Sequence, residues 1–137
     1  MAYKNNGTTI IDDTGSVNLA DQTLTRAMMV DYSLKTNARG SISGAQTIDL
    51  TLGNYATATA SGAITWTFSN PIASPNACGF VLELTNGGVG TQTWPTAVKW
   101  PGGTAPTLTA SGIDVLVFIT DDGGTTWRGV GSMIDSK

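Results

Sequence analysis

The sequence predicts an all-β protein, an antiparallel β-sandwich of jelly-roll-like type with an extended N-terminal arm. About eight short segments follow one another at roughly 8–12-residue spacing, as in β-sandwiches and jelly rolls. A Gly, Pro, Asn or Asp turn signal stands at nearly every gap between them. Thr is the commonest residue, Gly occurs 17 times and Glu only once. This composition favours strands and turns over helices.

Residues 1–40 are predicted to form an arm for docking rather than part of the core. Ile10 and Ile11 are adjacent, so in a strand they face opposite sides and cannot join one core face. Residues 21–39 suit either a short helix capped by Asp21 or an extended segment. A segment without a core of its own is expected to pack on a partner. The candidate docking residues are Ile10, Ile11, Val17, Leu19, Met28 and Met29.

Residues 41–137 are predicted to form the sandwich domain, with a core that can stand alone from about 41 to 131. Three segments alternate apolar and polar residues, as half-buried strands do. Their apolar positions are Ile48, Leu50 and Leu52; Ile64, Trp66 and Phe68; and Phe80, Leu82 and Leu84. Residues 70–78 contain two prolines and predict a loop. Pro95 and Pro101 confine their neighbours to strand ends or sheet edges.

Residues 113–130 predict a hairpin at the centre of the fold. Its first arm is apolar on both faces, which is typical of a strand covered on both sides. One face carries Ile113, Val115, Val117 and Ile119, and the other carries Leu116 and Phe118. The Asp-Asp-Gly-Gly sequence at 121–124 predicts a tight reversal, because Gly tolerates positive φ and Asp bonds its own backbone.

The turn of this hairpin resembles the Asp-box, Ser/Thr-x-Asp-x-Gly-x-Thr-Trp, which repeats in sialidase propellers. The match begins at Thr120, and a single copy in a chain this short cannot build a propeller. We therefore expect a structural turn in which Asp holds the loop and Trp packs beneath it. The residues assigned to this role are Asp122, Gly124, Thr126 and Trp127.

Composition weighs against several classes of function. The chain has no His and a single Cys, Cys78, which removes the commonest general base and any intramolecular disulfide. No nucleophile elbow or phosphate loop occurs. We therefore expect no catalytic residues, no metal and no cofactor, and predict that the protein is not an enzyme. The net charge is −3 with seven scattered basic residues, so nucleic-acid binding is not expected.

Location and ligand contact follow from the remaining features. No window is long and apolar enough for a membrane span, and the N-terminus lacks a secretory apolar region, so synthesis in a cytoplasm is expected.

Trp94 and Trp100 lie beside prolines at predicted edges. Aromatic faces in such loops can stack on sugar rings, which makes both residues candidates for contact with a host glycan. The alternative is that they pack the core.

Several segments together resemble a small-protein family of tailed bacteriophages. The most specific block runs from Trp94 to Pro106 and reads Trp-Pro-x-x-Val-x-Trp-x-Gly-Gly-x-Ala-Pro. The other matching segments are 24–26, 30–32, 48–54, 67–71, 80–88, 114–116 and 122–127. Such proteins occur alone or at the end of tail-fibre-like chains. The resemblance implies a virion component and provides no catalytic residues.

We therefore expect a non-enzymatic virion protein that is assembled in the host cytoplasm and attached to the outer surface of the particle. The short chain favours a capsid decoration protein, since fibres normally need a long shaft. Its partners would be the major capsid or tail protein and sister subunits, most simply in a homotrimer. The alternative is a short tail or head fibre that binds host-surface glycan.

Overall fold

The computed structural model describes the backbone of residues 3–5 and 8–11 and all of residues 32–137. The chain divides into two units, Met1–Tyr32 and Ser33–Lys137. In the first unit, β1 (Tyr3–Asn5) pairs antiparallel with β2 (Thr8–Ile11). Asn-Gly, the strongest short hairpin signal, lies between these strands in the sequence.

The second unit is built on one sheet of seven strands, ordered β3-β4-β5-β8-β9-β7, with β6 paired to β4. The strands are β3 (Thr36–Asp49), β4 (Tyr55–Ser69), β5 (Cys78–Thr85), β6 (Gln92–Thr93), β7 (Val98–Lys99), β8 (Ile113–Thr120) and β9 (Trp127–Ser136). Short 3-10 turns occupy Leu50–Leu52, Gly87–Val89 and Pro101–Gly103. The prediction of an all-β fold is confirmed. The sheet begins at Thr36, so it extends N-terminally beyond the predicted domain start at residue 41.

The prediction that the strands are antiparallel is wrong for most of this sheet. Four of its six strand pairings are parallel, namely β3–β4, β4–β5, β4–β6 and β7–β9, whereas β8 is antiparallel to both of its neighbours. Short connections favour antiparallel hairpins when strands are straight. Here the first two long strands are bent, and a bent strand returns the chain close to its own starting point.

The bend is required by the length of the connection between β3 and β4. Only residues 50–54 join these parallel strands. Five residues span at most about 18 Å, whereas a straight 14-residue strand would be roughly 46 Å long. In β3, Gly40 and Gly44 have φ of 67° and 69°, and the register with β4 shifts beside them. Across this bend, Arg39 Nη2 donates to Gln46 Oε1 at 2.8 Å.

The bent strands stack as successive turns of a coil. Thr36 of the first turn pairs with Tyr55 of the second, which pairs with Val81 of the third. The corner is closed by Asn54, whose Nδ2 donates to Gly79 O at 2.8 Å and whose carbonyl accepts from Val81 N at 2.9 Å. The offsets between turns are unequal, 19 residues from Thr36 to Tyr55 and 26 from Tyr55 to Val81. The sequence therefore has no fixed repeat period.

The core lies inside this coil and under one face of β8 and β9. Of the predicted inward positions of β4 and β5, all are buried except Phe68, which is partly buried; Leu116 and Phe118 of β8 are buried as well. Among the other predicted core positions, Leu52 ends in a 3-10 turn and is 47% exposed. The main buried side chains are Ile42, Ile48, Ile64, Trp66, Phe80, Leu82, Leu84, Val98, Leu116, Phe118 and Trp127.

The predicted central hairpin is present as β8 and β9, but β8 is fully covered on one side only, since Val115 is the one buried residue of its other side. Leu116 and Phe118 are buried, whereas Ile119 is 51% exposed and Val117 is half-buried. The described strands of the second unit form no second sheet over this side, and Leu34, which lies beside Val117 and Ile119, leaves them partly exposed. The expectation that β8 is covered on both sides is therefore wrong for the described part of the chain. The apolar pattern shows which residues of β8 need to be buried, but not which part of a protein buries them.

Candidate interaction surfaces

The two tryptophans predicted to contact glycan belong to an aromatic cluster. Trp94 stacks on the buried Trp66 with ring centroids 5.7 Å apart. Trp100 meets Trp94 edge-to-face at 5.4 Å and Phe118 at 5.6 Å. Both rings pack partly against the core. Such aromatic pairs contribute about 0.5–1.5 kcal/mol beyond burial of their area, so these rings stabilise the fold.

The uncovered parts of Trp94 and Trp100 line different depressions of the surface. Trp100 lines one of about 400 Å³ together with Lys99, Pro101, Arg128 and Val130. Trp94 lines another of about 220 Å³, beside the Gly87–Val89 turn and Pro106. The two rings are inclined at 66° to each other. They therefore do not form one flat platform for a sugar chain, and only Trp100 lies beside cationic side chains.

The Asp-box-like turn is held by a closed set of hydrogen bonds. Thr120 Oγ1 donates to Asp122 Oδ1 at 2.9 Å and accepts from Gly124 N at 3.0 Å. Thr126 N donates to Asp122 Oδ1 at 2.9 Å, and Trp127 is buried beneath the turn. The hydrogen bond from Thr126 N lowers the pKa of the Asp122 carboxyl below its ordinary value. Asp122 therefore acts as a hydrogen-bond acceptor within the turn.

A second acidic residue fastens the end of the first coil turn. Asp49 Oδ1 accepts from Asn70 Nδ2 at 2.9 Å, Thr51 N at 2.9 Å and Thr51 Oγ1 at 2.7 Å. The side-chain bond from Asn70 is the main reason that the pKa of Asp49 is lowered, with Thr51 adding to it. Because Asp49 ends β3 and Asn70 follows β4, this contact ties two stacked turns together.

Asp114 is a carboxylate at the opposite end of the sheet, and it is completely buried. Its oxygens accept from Thr109 N at 2.7 Å, Thr109 Oγ1 at 2.8 Å and Asp135 N at 3.0 Å. These bonds connect the loop before β8 to the last residues of β9. Within the described residues, no group of three or more His, Cys, Asp or Glu is placed to hold a metal ion.

In the described part of the chain, several partly exposed apolar residues lie on the side of β5, β8 and β9 that points away from the core, which we call the outer face. Residues paired across neighbouring strands point to the same side of a sheet. Three rows result: Val81, Val117 and Val130; Gly79, Ile119 and Arg128; and Glu83, Val115 and Met133. Ile119, Val130 and Met133 are each between 42% and 52% exposed.

Sequence reasoning missed the outer face because it assigned the apolar residues of β8 to the core. The sequence did indicate this face, because β8 is apolar on both sides and the core of the domain lies against one side. The docking residues that were predicted instead belong to the arm. Ile10 and Ile11 lie in β2, and their side chains are outside the described part of the chain. Val17, Leu19, Met28 and Met29 lie wholly outside the described residues.

Comparisons with known proteins gave no match: no family model fits the chain, and no curated protein and no solved structure is significantly similar to it. In the described part of the chain, no helix has the length and apolar character that crossing a membrane requires.

Proposed function

We propose that this chain is a non-enzymatic virion protein of a tailed bacteriophage, attached to the outside of the capsid as a decoration protein. The observation that carries the proposal is the outer face, a largely apolar sheet surface that the described chain leaves partly exposed. The most extensive exposed apolar patch of a soluble protein, typically a few hundred Å², is often a site that binds a partner. The resemblance of the sequence to small tailed-phage proteins supplies the identity of the particle.

The body of the chain suits a protein that is carried on a particle. Its coil turns are fastened by hydrogen bonds between neighbouring turns, and its strands bury a continuous core. The first 32 residues form a separate unit, so we expect this body to fold without them. In this proposal the N-terminal unit binds the major capsid protein or a sister subunit, most simply within a trimer at a lattice three-fold.

Deletion of residues 2–20 tests the proposal. The truncated chain should keep the β-sheet circular dichroism and the cooperative melt of the intact protein, but should no longer bind to particles that lack the protein. A matched control replaces Ile10 and Ile11 with Ser in the full-length chain, which removes apolar contacts at unchanged length. Full incorporation of the folded truncation into particles would contradict docking through the arm.

A second candidate, a short tail or head fibre that binds host glycan, is favoured by the groove beside Trp100. There an indole borders Lys99 and Arg128, side chains that can hydrogen-bond sugar hydroxyls or an acidic sugar. Replacing Trp100 with Ala would also remove packing against Phe118, so Lys99→Ala in addition to Trp100→Phe is the cleaner test. A fibre with these changes should adsorb poorly to host cells while assembling normally. A decoration protein should show no adsorption defect.

A further inference from the structure

We propose that the outer face binds the outer face of a second copy of this chain, in a two-fold contact centred on Val117. This contact goes beyond the proposed role on the particle, because it should form between free subunits and does not involve the N-terminal unit. Its occupant follows from two properties of the face, the position of its apolar residues and the position of its charges.

The apolar residues form the middle of the face. Val117 on β8 is flanked in register by Val81 on β5 and Val130 on β9. Ile119 and Met133 extend this row diagonally and are about half exposed. Covering β-branched side chains on a sheet with the same surface of another sheet is how β-sandwich cores form. Each square ångström removed from water contributes about 25 cal/mol.

The charges lie at opposite corners of the face, which makes it complementary to itself. Arg128 is on β9 in the row of Ile119, and Glu83 is on β5 in the row of Val115. A two-fold axis between the sheets, running across the other diagonal, places Arg128 of each copy over Glu83 of the other. Two ion pairs then form around one apolar centre, as a two-fold interface requires.

The dimensions of the sheet fix the expected geometry. The two corners are separated by four residues along the strand and two strand spacings across it, about 13 Å by 10 Å. When Arg128 of each copy lies over Glu83 of the other, the strands of the two copies cross at roughly 70°. This angle is nearer to orthogonal than to aligned sheet packing. Arg128 already pairs with Asp121 at 3.0 Å, and both side chains are more than half exposed. A guanidinium has five N–H donors and can also bind the second carboxylate.

The area of the face predicts weak association. Nine positions on three strands cover on the order of 300 Å² per copy, well below the roughly 800 Å² of a standard interface. The contact should therefore form at high protein concentration, or where subunits are held close together on a surface.

Sedimentation equilibrium of the full-length protein over a wide concentration range is the test. Reversible self-association should appear, and Val117→Lys should weaken it by about tenfold or more, because a charge at the centre must lose its water. Thr65→Lys is the matched control, since Thr65 is exposed on β4 outside the face, and it should change nothing. Either a protein that stays monomeric at all concentrations or self-association unaffected by Val117→Lys would overturn the proposal.

Charge exchange tests the two-fold geometry separately. Glu83→Arg or Arg128→Glu alone places like charges together and should weaken association about tenfold, whereas the double exchange should restore it to within about threefold. Glu83→Gln removes the charge, keeps an acceptor for the Tyr55 hydroxyl, and should weaken association less. If the double exchange is no better than the single ones, the two-fold arrangement is wrong. All of these measurements use free protein, so they can fail or succeed independently of the particle-binding test.

Discussion

Replacing Gly53 with Ala should destabilise the protein by disrupting the corner where the first coil turn closes on itself. Gly53 has φ of 145°, and a Cβ there would lie 2.2 Å from the Lys35 carbonyl oxygen. The obstructing atom belongs to the backbone, so it cannot move away by a change of rotamer. With ψ of 156°, this backbone conformation is open essentially only to Gly and costs another residue about 1–3 kcal/mol. The forced backbone shift adds about 1–3 kcal/mol, as overpacking does, so we expect a total loss of about 2–6 kcal/mol.

Gly40→Ala is the control for a positive φ without a steric clash. Gly40 also has a positive φ, 67°, but nothing lies within 4 Å of a Cβ at that position. It should therefore lose only the conformational part, about 1–2 kcal/mol. Urea unfolding followed by tryptophan fluorescence gives both free energies of unfolding. If Gly53→Ala costs no more than Gly40→Ala, residues 35 and 53 are not stacked, and the coil described here is wrong.

Three further predictions concern the core and the carboxylates. Trp66→Ala should cost about 3–5 kcal/mol in urea unfolding, because it leaves a cavity beside Trp94; a loss below about 1 kcal/mol would contradict the aromatic core. Both Asp49 and Asp122 have pKa values lowered by hydrogen bonds from an ordinary value of 3.8, so they stabilise the fold above that pH and lose this contribution as the pH falls through their folded-state values. Accordingly, the free energy of unfolding should fall less steeply with decreasing pH in Asp49→Asn and Asp122→Asn than in the unmodified protein. An unchanged dependence on pH would show that these bonds do not form in solution. Asp114→Ala should leave three hydrogen-bond donors without an acceptor, at a cost of about 1–3 kcal/mol each. It should also remove the protection from amide hydrogen exchange at the end of β9, and protection that persists at Asp135 would refute this assignment.

The strands with alternating residues could be predicted because a side chain in a strand either faces the core or does not. Ile64 and Trp66 on β4, and Phe80, Leu82 and Leu84 on β5, are buried as their spacing indicates. The direction of the strands could not be predicted in the same way. It depends on Gly40 and Gly44, whose positive φ values bend β3, and a Gly in a sequence gives no sign of its φ.

The candidate site was only partly predictable. The turn around Asp122 follows from local sequence, because every hydrogen bond that holds it joins residues within four positions of each other. The outer face depends on contacts between β5, β8 and β9, whose residues are up to 54 positions apart, from Gly79 to Met133. Its apolar residues look like core residues in the sequence. Only the packing shows that Ile119 and Val130 stay 51% and 42% exposed in the described part of the chain.

Imaging purified virions of the encoding phage at near-atomic resolution would test the central claim most directly. The account predicts density for this coil on the outside of the particle, with Val117 and Ile119 covered by another protein chain. Absence of the protein from mature virions, or density in which the outer face is turned to solvent, would contradict it.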